Sequence, residues 1–156
     1  MLIPVHTFDS CAANIKIRKL NEYAVIPNRG SAAAAGYDLY ANLEKLIEIA
    51  PGTCEKIGTG IAIELPPDTF GGIFARSGLA TKRGLRPANA CGVIDADYRG
   101  ELIVALYNDS NEPQIINPND KIAQLIVLPF YPIQFDIVNE LDETERSTGG
   151  FGSTGV

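Results

Sequence analysis

Short apolar runs, broken at close intervals by glycine, proline, asparagine and aspartate, constrain this chain more than any other feature. Strand-like segments fall at residues 15–20, 48–49, 61–65, 69–75, 101–107, 122–128 and 134–138. Several alternate apolar with polar side chains, as in Ile15, Lys16, Ile17, Arg18 and again in Ile61, Ala62, Ile63, Glu64, Leu65, the period of a strand with one buried face. Turn signals separate them: Pro51 Gly52, Pro66 Pro67 Asp68, Gly71 Gly72, Asn111 Glu112 Pro113 and Asn117 Pro118 Asn119 Asp120. With 15 glycines and 10 prolines there are punctuation residues for many tight turns but no repeat period. The pattern predicts an all-β sandwich or barrel. One short helix is expected at residues 77–82, with Ser77 capping its first turn and Gly84 stopping it.

A chain of 156 residues is the size of one domain and should bury roughly 68 to 70% of its unfolded surface, so a single core over residues 1–156 needs no disulfide or metal staple. Hydrophobic residues make up 46% and charged residues 21%, an ordinary globular composition. The most apolar stretch, residues 122–133, is interrupted by Gln124, Pro129 and Pro132 and falls short of the about 20 residues of a membrane helix, so no membrane contact is expected. Residues 1–13 lack a basic region followed by a long apolar run, which argues against a secretory signal and for a cytoplasmic location.

Cys11, Cys54 and Cys91 are odd in number and widely spaced, unlike a disulfide framework or a paired zinc site. The one histidine, His6, lies near the start, which makes a serine–histidine triad or a zinc deaminase hard to build. A net charge of −6 disfavours nucleic acid. A small anion remains open, because Arg76, Lys82, Arg83 and Arg86 lie close together in sequence.

The tail changes character after about Val138: residues 139–146 are charged, and Ser147 to Val156 is glycine, serine and threonine with one phenylalanine. A frayed end has little reason to carry an aromatic ring between glycines. Glycine N–H groups approach phosphate oxygens closely, Ser153 and Thr154 add hydroxyls, Arg146 can fork onto a phosphate and Phe151 can stack on a base. At about 3.3 Å per residue, residues 143–156 reach some 45 Å, against a radius of gyration of roughly 15 Å for such a domain. This lid could cover a site on another subunit.

Two further runs carry candidate chemistry. In Ala75 Arg76 Ser77 Gly78 Leu79 Ala80, an arginine meets the first turn of the expected helix, where free N–H groups favour anions. The plainer reading is helix capping by Ser77. In Asn89 Ala90 Cys91 Gly92 Val93 Ile94 Asp95 Ala96 Asp97 Tyr98 Arg99 Gly100, aspartate and glycine could simply make a hairpin, yet Asp95 is also suited to take a proton from water. Ala35 Gly36 Tyr37 Asp38 Leu39 Tyr40 Ala41 and Asn119 Asp120 Lys121 Ile122 Ala123 Gln124 Leu125 read as turns feeding strands.

In order, these five runs resemble the five motifs of the trimeric dUTPase family, across residues 35 to 155. The resemblance implies a distorted β jelly roll (β-clip), a homotrimer with active sites shared between subunits, and hydrolysis of dUTP to dUMP and pyrophosphate. By similarity, Asp95 activates the attacking water, and Tyr98 packs under the deoxyribose where a 2'-hydroxyl would clash. Asn89, the backbone of Gly92, Val93, Ile94 and Asp95, and Ile103 would read uracil in a slot too tight for thymine's methyl. A pocket that merely preferred one fewer methyl would discriminate only about 10 to 200-fold. Arg76, Ser77 and Gly78 would hold the β and γ phosphates and Gln124 the α-phosphate region. Arg146, Gly152, Ser153 and Thr154 would grip the triphosphate from the lid, with Phe151 stacked on uracil. Magnesium would ride on the triphosphate with no direct protein ligand, Asp38 acting through water or by organising the lid.

The chain departs from the family at two places. Ser147 stands where a glycine usually follows the tail arginine, and Asn119 Asp120 Lys121 stand where Gly-Asp-Arg is common. Residues 1–14 are an extension with no match. The rival readings are a dCTP deaminase of the same fold, which needs a catalytic glutamate where this chain has Asp95, a nucleotide-binding signalling or partner-binding trimer, and a plain structural jelly roll.

Overall fold

A computed structural model describes residues 14–149. Its elements in chain order are β1 (Lys16–Lys19), β2 (Asn28–Arg29), β3 (Tyr37–Tyr40), β4 (Ile47–Ile49), β5 (Cys54–Gly58), β6 (Ile61–Glu64), β7 (Thr69–Phe74), α1 (Ser77–Arg83), β8 (Leu85–Pro87), β9 (Cys91–Ile94), β10 (Ile103–Asn108), β11 (Gln114–Ile116) and β12 (Lys121–Pro129). Every strand pairing is antiparallel. The largest sheet runs β2-β3-β12-β7-β9, a second runs β5-β10-β8, and β1-β6 and β4-β11 form two ribbons. No sheet closes into a barrel, and the arrangement is the expected distorted jelly roll.

Alternation builds the core along β10, but not along the two runs quoted for it: β1 is exposed throughout, and β6 buries Ile61, Ala62 and Ile63 in succession. Along β10, Val104, Leu106 and Asn108 point inward while Ile103 faces out. Leu39, Ile49, Ile57, Ile61, Leu102, Leu106 and Ile116 are each fully buried at 0% exposure, worth roughly 1.5 to 3 kcal/mol per side chain relative to leaving it in water. Thr59 and Asn108 are the buried polar residues among those described, and Asn108 is the more widely bonded. Its amide donates to the carbonyls of Ile49 and Glu112 at 2.9 and 2.8 Å, and its oxygen accepts from the N–H and hydroxyl of Ser110 at 2.9 and 2.7 Å. The side chain thus ties β10 to the ends of β4 and of the loop before β11, and its burial costs little because all its groups are partnered.

The helix forms where expected and extends one residue further, to Arg83. Its cap differs from the expectation: Arg76 occupies the N-cap in extended conformation, no side chain caps it, and Ser77 is the first helical residue. Gly84 ends the helix in the left-handed conformation at φ 64°, which a glycine adopts without a steric penalty. None of the described helices is long and apolar enough to cross a membrane.

Two other expectations are corrected. Residues 134–138 form no strand, and Phe135, Ile137 and Leu141 are 87%, 101% and 87% exposed. The apolar alternation there is real, but among the described residues it pairs with no strand. Nor is 89–100 the turn of a hairpin. β9 joins β7 in the large sheet while β10 belongs to the other, so the loop after Ile94 crosses between sheets.

Candidate active site

The large sheet brings two of the sequence runs together. Asp38 of β3, Gln124 of β12 and Phe74 of β7 lie directly opposite one another in register, on one face of the sheet. Arg76 follows β7 and reaches back across this row: its Nε donates to Asp38 Oδ1 at 2.8 Å and Nη1 to the Lys121 carbonyl at 3.4 Å. Lys121 Nζ meets the other carboxylate oxygen, Oδ2, also at 2.8 Å, and lies 5.8 Å from the centre of the Tyr40 ring. Asp38 is therefore a bridge between two cations and is mostly buried, with its side chain 13% exposed. Burial alone would raise its pKa, but the hydrogen bonds and charges of Lys121 and Arg76 outweigh that and hold the carboxyl below its ordinary range. The same contact raises the Lys121 ammonium.

Gln124 is held as firmly. Its Nε2 donates to the Ala75 carbonyl at 2.9 Å, and its amide lies over Gly36, where a Cβ would come within 3.1 Å of Cδ and overlap Oε1. The short cross-section of Gly36 is what lets the amide lie flat against β3. Next to this cradle, Arg76, Gly78, Leu79, Lys82, Arg83 and Lys121 line a groove of about 470 Å³. Arg86 does not join it, contrary to the grouping suggested by the sequence. It pairs with Asp109 at 3.1 Å and stacks on Tyr107 at 5.0 Å, because it sits on β8 in the other sheet.

Asp95 lies elsewhere. With Thr69, Phe70, Val93, Ala96, Asp97 and Phe130 it lines an open groove of about 600 Å³. Asn89, Val93, Asp95, Tyr98 and Ile103 are all exposed here, while Gly92 and Ile94 are partly covered. Asn89 Nδ2 approaches Gly92, and Tyr98 donates its hydroxyl proton to the Glu101 carbonyl at 3.0 Å. Glu101, the acidic residue nearest this loop on β10's side, is engaged by the Gly60 N–H at 2.7 Å.

The register measures how far apart these two sets are. Cys91 is opposite Phe74, which is opposite Gln124. Asp95 is four residues further along than Cys91 and two strands across from Gln124, which is about 13 Å by roughly 10 Å, or about 16 Å overall. A base must be within hydrogen-bond reach of the water it activates. Within one chain, Asp95 and the Arg76–Lys121 side of the cradle line separate grooves.

In the tail, Arg146 turns its Nε onto the Gly149 carbonyl at 2.8 Å. Ser147 has φ 44° and Asn119 has φ 64°, both left-handed. The two positions where this chain lacks the family's usual glycine are thus positions that favour one. Asparagine tolerates this region better than serine does. Phe151, Gly152, Ser153 and Thr154 lie outside the described residues.

Sequence reasoning passed over Lys121, noted only as a departure, and the two aromatic walls beside Asp95, Phe70 and Phe130. The charge of Lys121 was visible; its partner across the sheet was not.

Known proteins share this fold and much of this sequence. The dUTPase family model matches residues 22–155. A deoxyuridine 5'-triphosphate nucleotidohydrolase of Desulfitobacterium hafniense is 51% identical over 132 residues, covering 84% of this chain and 87% of that protein. One from Corynebacterium glutamicum is 47% identical, covering 92% and 95%. The dUTPase of Staphylococcus bacteriophage 80alpha with dUPNHPP superposes with a TM-score of 0.80 at 25% identity, covering 93% of this chain and all of that one, 100%. A phage phi11 dUTPase variant, described for its coordination of a structural Mg(II) ion, gives 0.73 at 26% identity, covering 82% and 98%. With a cradle built from the first, second and fourth runs and an exposed aspartate loop built from the third, this chain belongs to the dUTPase family.

Proposed function

We propose that this chain hydrolyses dUTP to dUMP and pyrophosphate in the cytoplasm, as a homotrimer whose sites combine the Asp95 loop of one subunit with the Arg76–Gln124 cradle of another. The observation that carries the reading is that Asp95 and the Arg76–Lys121 cradle line separate grooves, with backbone positions that the register sets about 16 Å apart. Two half-sites in separate grooves of one chain are brought together when copies close into a ring.

In this reading, Asp95 takes a proton from water as the water oxygen bonds to the α-phosphorus. The bond from that phosphorus to the bridging oxygen of pyrophosphate breaks in line. Gln124 holds the α-phosphate region, and Arg76 with Ser77 and Gly78 holds the β and γ phosphates. Much of the catalysis is then positioning and charge neutralisation. Tyr98 lies beneath the deoxyribose, while Asn89, the backbone of Gly92 to Asp95 and Ile103 meet the uracil edge. Arg146, Phe151, Gly152, Ser153 and Thr154 close from the tail of a further subunit. Magnesium arriving on the triphosphate would neutralise its charge. Both Asp38 oxygens already face cations, which suits Asp38 to organising the cradle rather than binding metal directly.

The exposed apolar segment Tyr131, Ile133, Phe135, Ile137 and Leu141 supports the assembly, since an extended alternating segment without a partner is what a neighbouring subunit covers. A deaminase reading would need a free glutamate beside Asp95, whereas Glu101 is engaged by Gly60. The test is incubation with dUTP, dCTP, dTTP or UTP and Mg²⁺, assaying pyrophosphate and ammonia, together with sedimentation. Pyrophosphate from dUTP alone, by a trimer, is expected. Ammonia from dCTP, absence of dUTP turnover, or a monomer would overturn the reading.

A further inference from the structure

The loop that carries Asp95 and Tyr98 is shaped by its neighbours. Arg99 folds its guanidinium back onto the loop, donating from Nη1 to the Ala96 carbonyl at 2.6 Å and to the Tyr98 carbonyl at 3.1 Å. Tyr98 bends the other way, over Gly100, and donates its hydroxyl proton to the Glu101 carbonyl at 3.0 Å. The phenol is seated directly on the glycine. A Cβ at Gly100 would lie 2.5 Å from Tyr98 Cζ and 2.9 Å from Cε2, and would overlap the hydroxyl oxygen. Atoms this close cannot coexist without one moving.

The backbone beneath the ring has no easy alternative. Glu101 is anchored by the Gly60 N–H at 2.7 Å, and the next residue, Leu102, is fully buried with its N–H on the Ile61 carbonyl at 2.9 Å. The backbone beneath the ring is therefore fixed, and an added methyl must displace the ring. The ring itself is 43% exposed, so it has solvent to move into.

We infer that Gly100 is a specificity-determining residue: with the Glu101 carbonyl it forms the seat that sets the height of the Tyr98 ring, and so decides whether a ribose 2'-hydroxyl is refused. Gly100 acts through Tyr98 and is a positioning residue. The inference rests on the proposed role of Tyr98 beneath the deoxyribose. Selectivity by steric refusal depends on the ring's position to a fraction of an ångström, whereas mere loop stability does not distinguish one sugar from the other.

The experiment compares kcat/KM for dUTP and UTP in wild type, Gly100→Ala, Tyr98→Phe and Tyr98→Ala, with thermal unfolding and sedimentation as controls for folding. Gly100→Ala is expected to lower the dUTP-to-UTP ratio at least about tenfold. Tyr98→Phe, which removes only the tether to Glu101, is expected to lower it less. If Gly100→Ala leaves the ratio unchanged while Tyr98→Ala collapses it, the seat is refuted and the Tyr98 reading stands. If Tyr98→Ala itself leaves the ratio unchanged, the underlying reading fails, and the seat with it. Should Gly100→Ala not fold, Tyr98→Phe decides: a lowered ratio supports the seat and an unchanged one overturns it.

Discussion

Replacing Gly36 with alanine tests the cradle with a single methyl. Its Cβ would overlap Gln124 Oε1 and stand 3.1 Å from Cδ and 3.3 Å from Cβ of the same side chain. The Gln124 Cβ is fixed by β12, which is paired on both sides, so the amide is the part that must swing away. That movement costs about 0.5 to 1.5 kcal/mol in rotamer strain. It also breaks the 2.9 Å hydrogen bond to Ala75, about 0.5 to 1.5 kcal/mol more. The sum of about 1 to 3 kcal/mol is also what returning the amide to the phosphate would require, roughly 5 to 150-fold in kcat/KM. The expected loss of stability corresponds to about 2 to 12 °C in Tm for a chain of this size. Gly30→Ala is the matched control, because nothing lies within 4 Å of its Cβ position. The assay is pyrophosphate release from dUTP at saturating Mg²⁺, with thermal unfolding at one fixed protein concentration. If Gly36→Ala behaves like Gly30→Ala in both measurements, the placement of Gln124 against Gly36 is irrelevant to the site and the argument is wrong.

Other expectations follow from the same geometry. Asp38→Asn should destabilise the protein near neutral pH. Because the folded-state pKa of Asp38 is lowered, its contribution is present above the ordinary carboxylate pKa of about 4 and is lost as pH falls through the lower folded value. The Tm difference between wild type and variant should therefore shrink below about pH 4; a difference that persists there would exclude the charge bridge as its cause. Asp95→Asn should abolish dUTP turnover, by roughly 10² to 10⁴-fold or more, while calorimetry still detects binding of a non-hydrolysable dUTP analogue; near-normal turnover would remove Asp95 from the base role. Ser147→Gly relieves a left-handed serine at φ 44°, a strain of about 1 to 2 kcal/mol, and should raise kcat/KM for dUTP several-fold with little change in Tm, because this exposed turn lies outside the core and can open without unfolding it. A fall would show that the turn at Arg146 and Gly149 is not the working form of the tail.

The two half-sites differ in how they are built, and this bears on which substitutions each will tolerate. The cradle is paired and partly buried: Asp38, Arg76, Lys121 and Gln124 each hold another of the set or the backbone. The Asp95 loop is exposed, and its order comes from Arg99, Gly100 and Glu101 folding back upon it. Changes in the cradle should therefore affect stability and activity together, whereas changes in the loop should act on activity and selectivity with a smaller effect on stability.

The sequence by itself determined the class of fold and most of the chemical groups. Alternation in β10 and the turn signals at Pro51 Gly52 and Asn117 to Asp120 are local properties that act before any long-range contact forms. The same holds for the stop at Gly84. Arg76 and Asp95 could be singled out as candidates from their own short runs, whereas Tyr98 and Gln124 became candidates only through the family resemblance. Strands of two or three residues, such as β2, β8 and β11, were not legible, since so short a segment is extended only because a partner pairs with it. Residues 134–138 erred in the opposite sense: they have a strand's pattern and no strand partner among the described residues. Only the tertiary structure decided that Lys121 faces Asp38 across the sheet, that Arg86 leaves the basic cluster, that Gly36 and Gly100 are seats for Gln124 and Tyr98, and that Asp95 lies about 16 Å from Gln124. Each is a relation between residues distant in sequence or between a side chain and the space beside it, and register and packing alone set those relations.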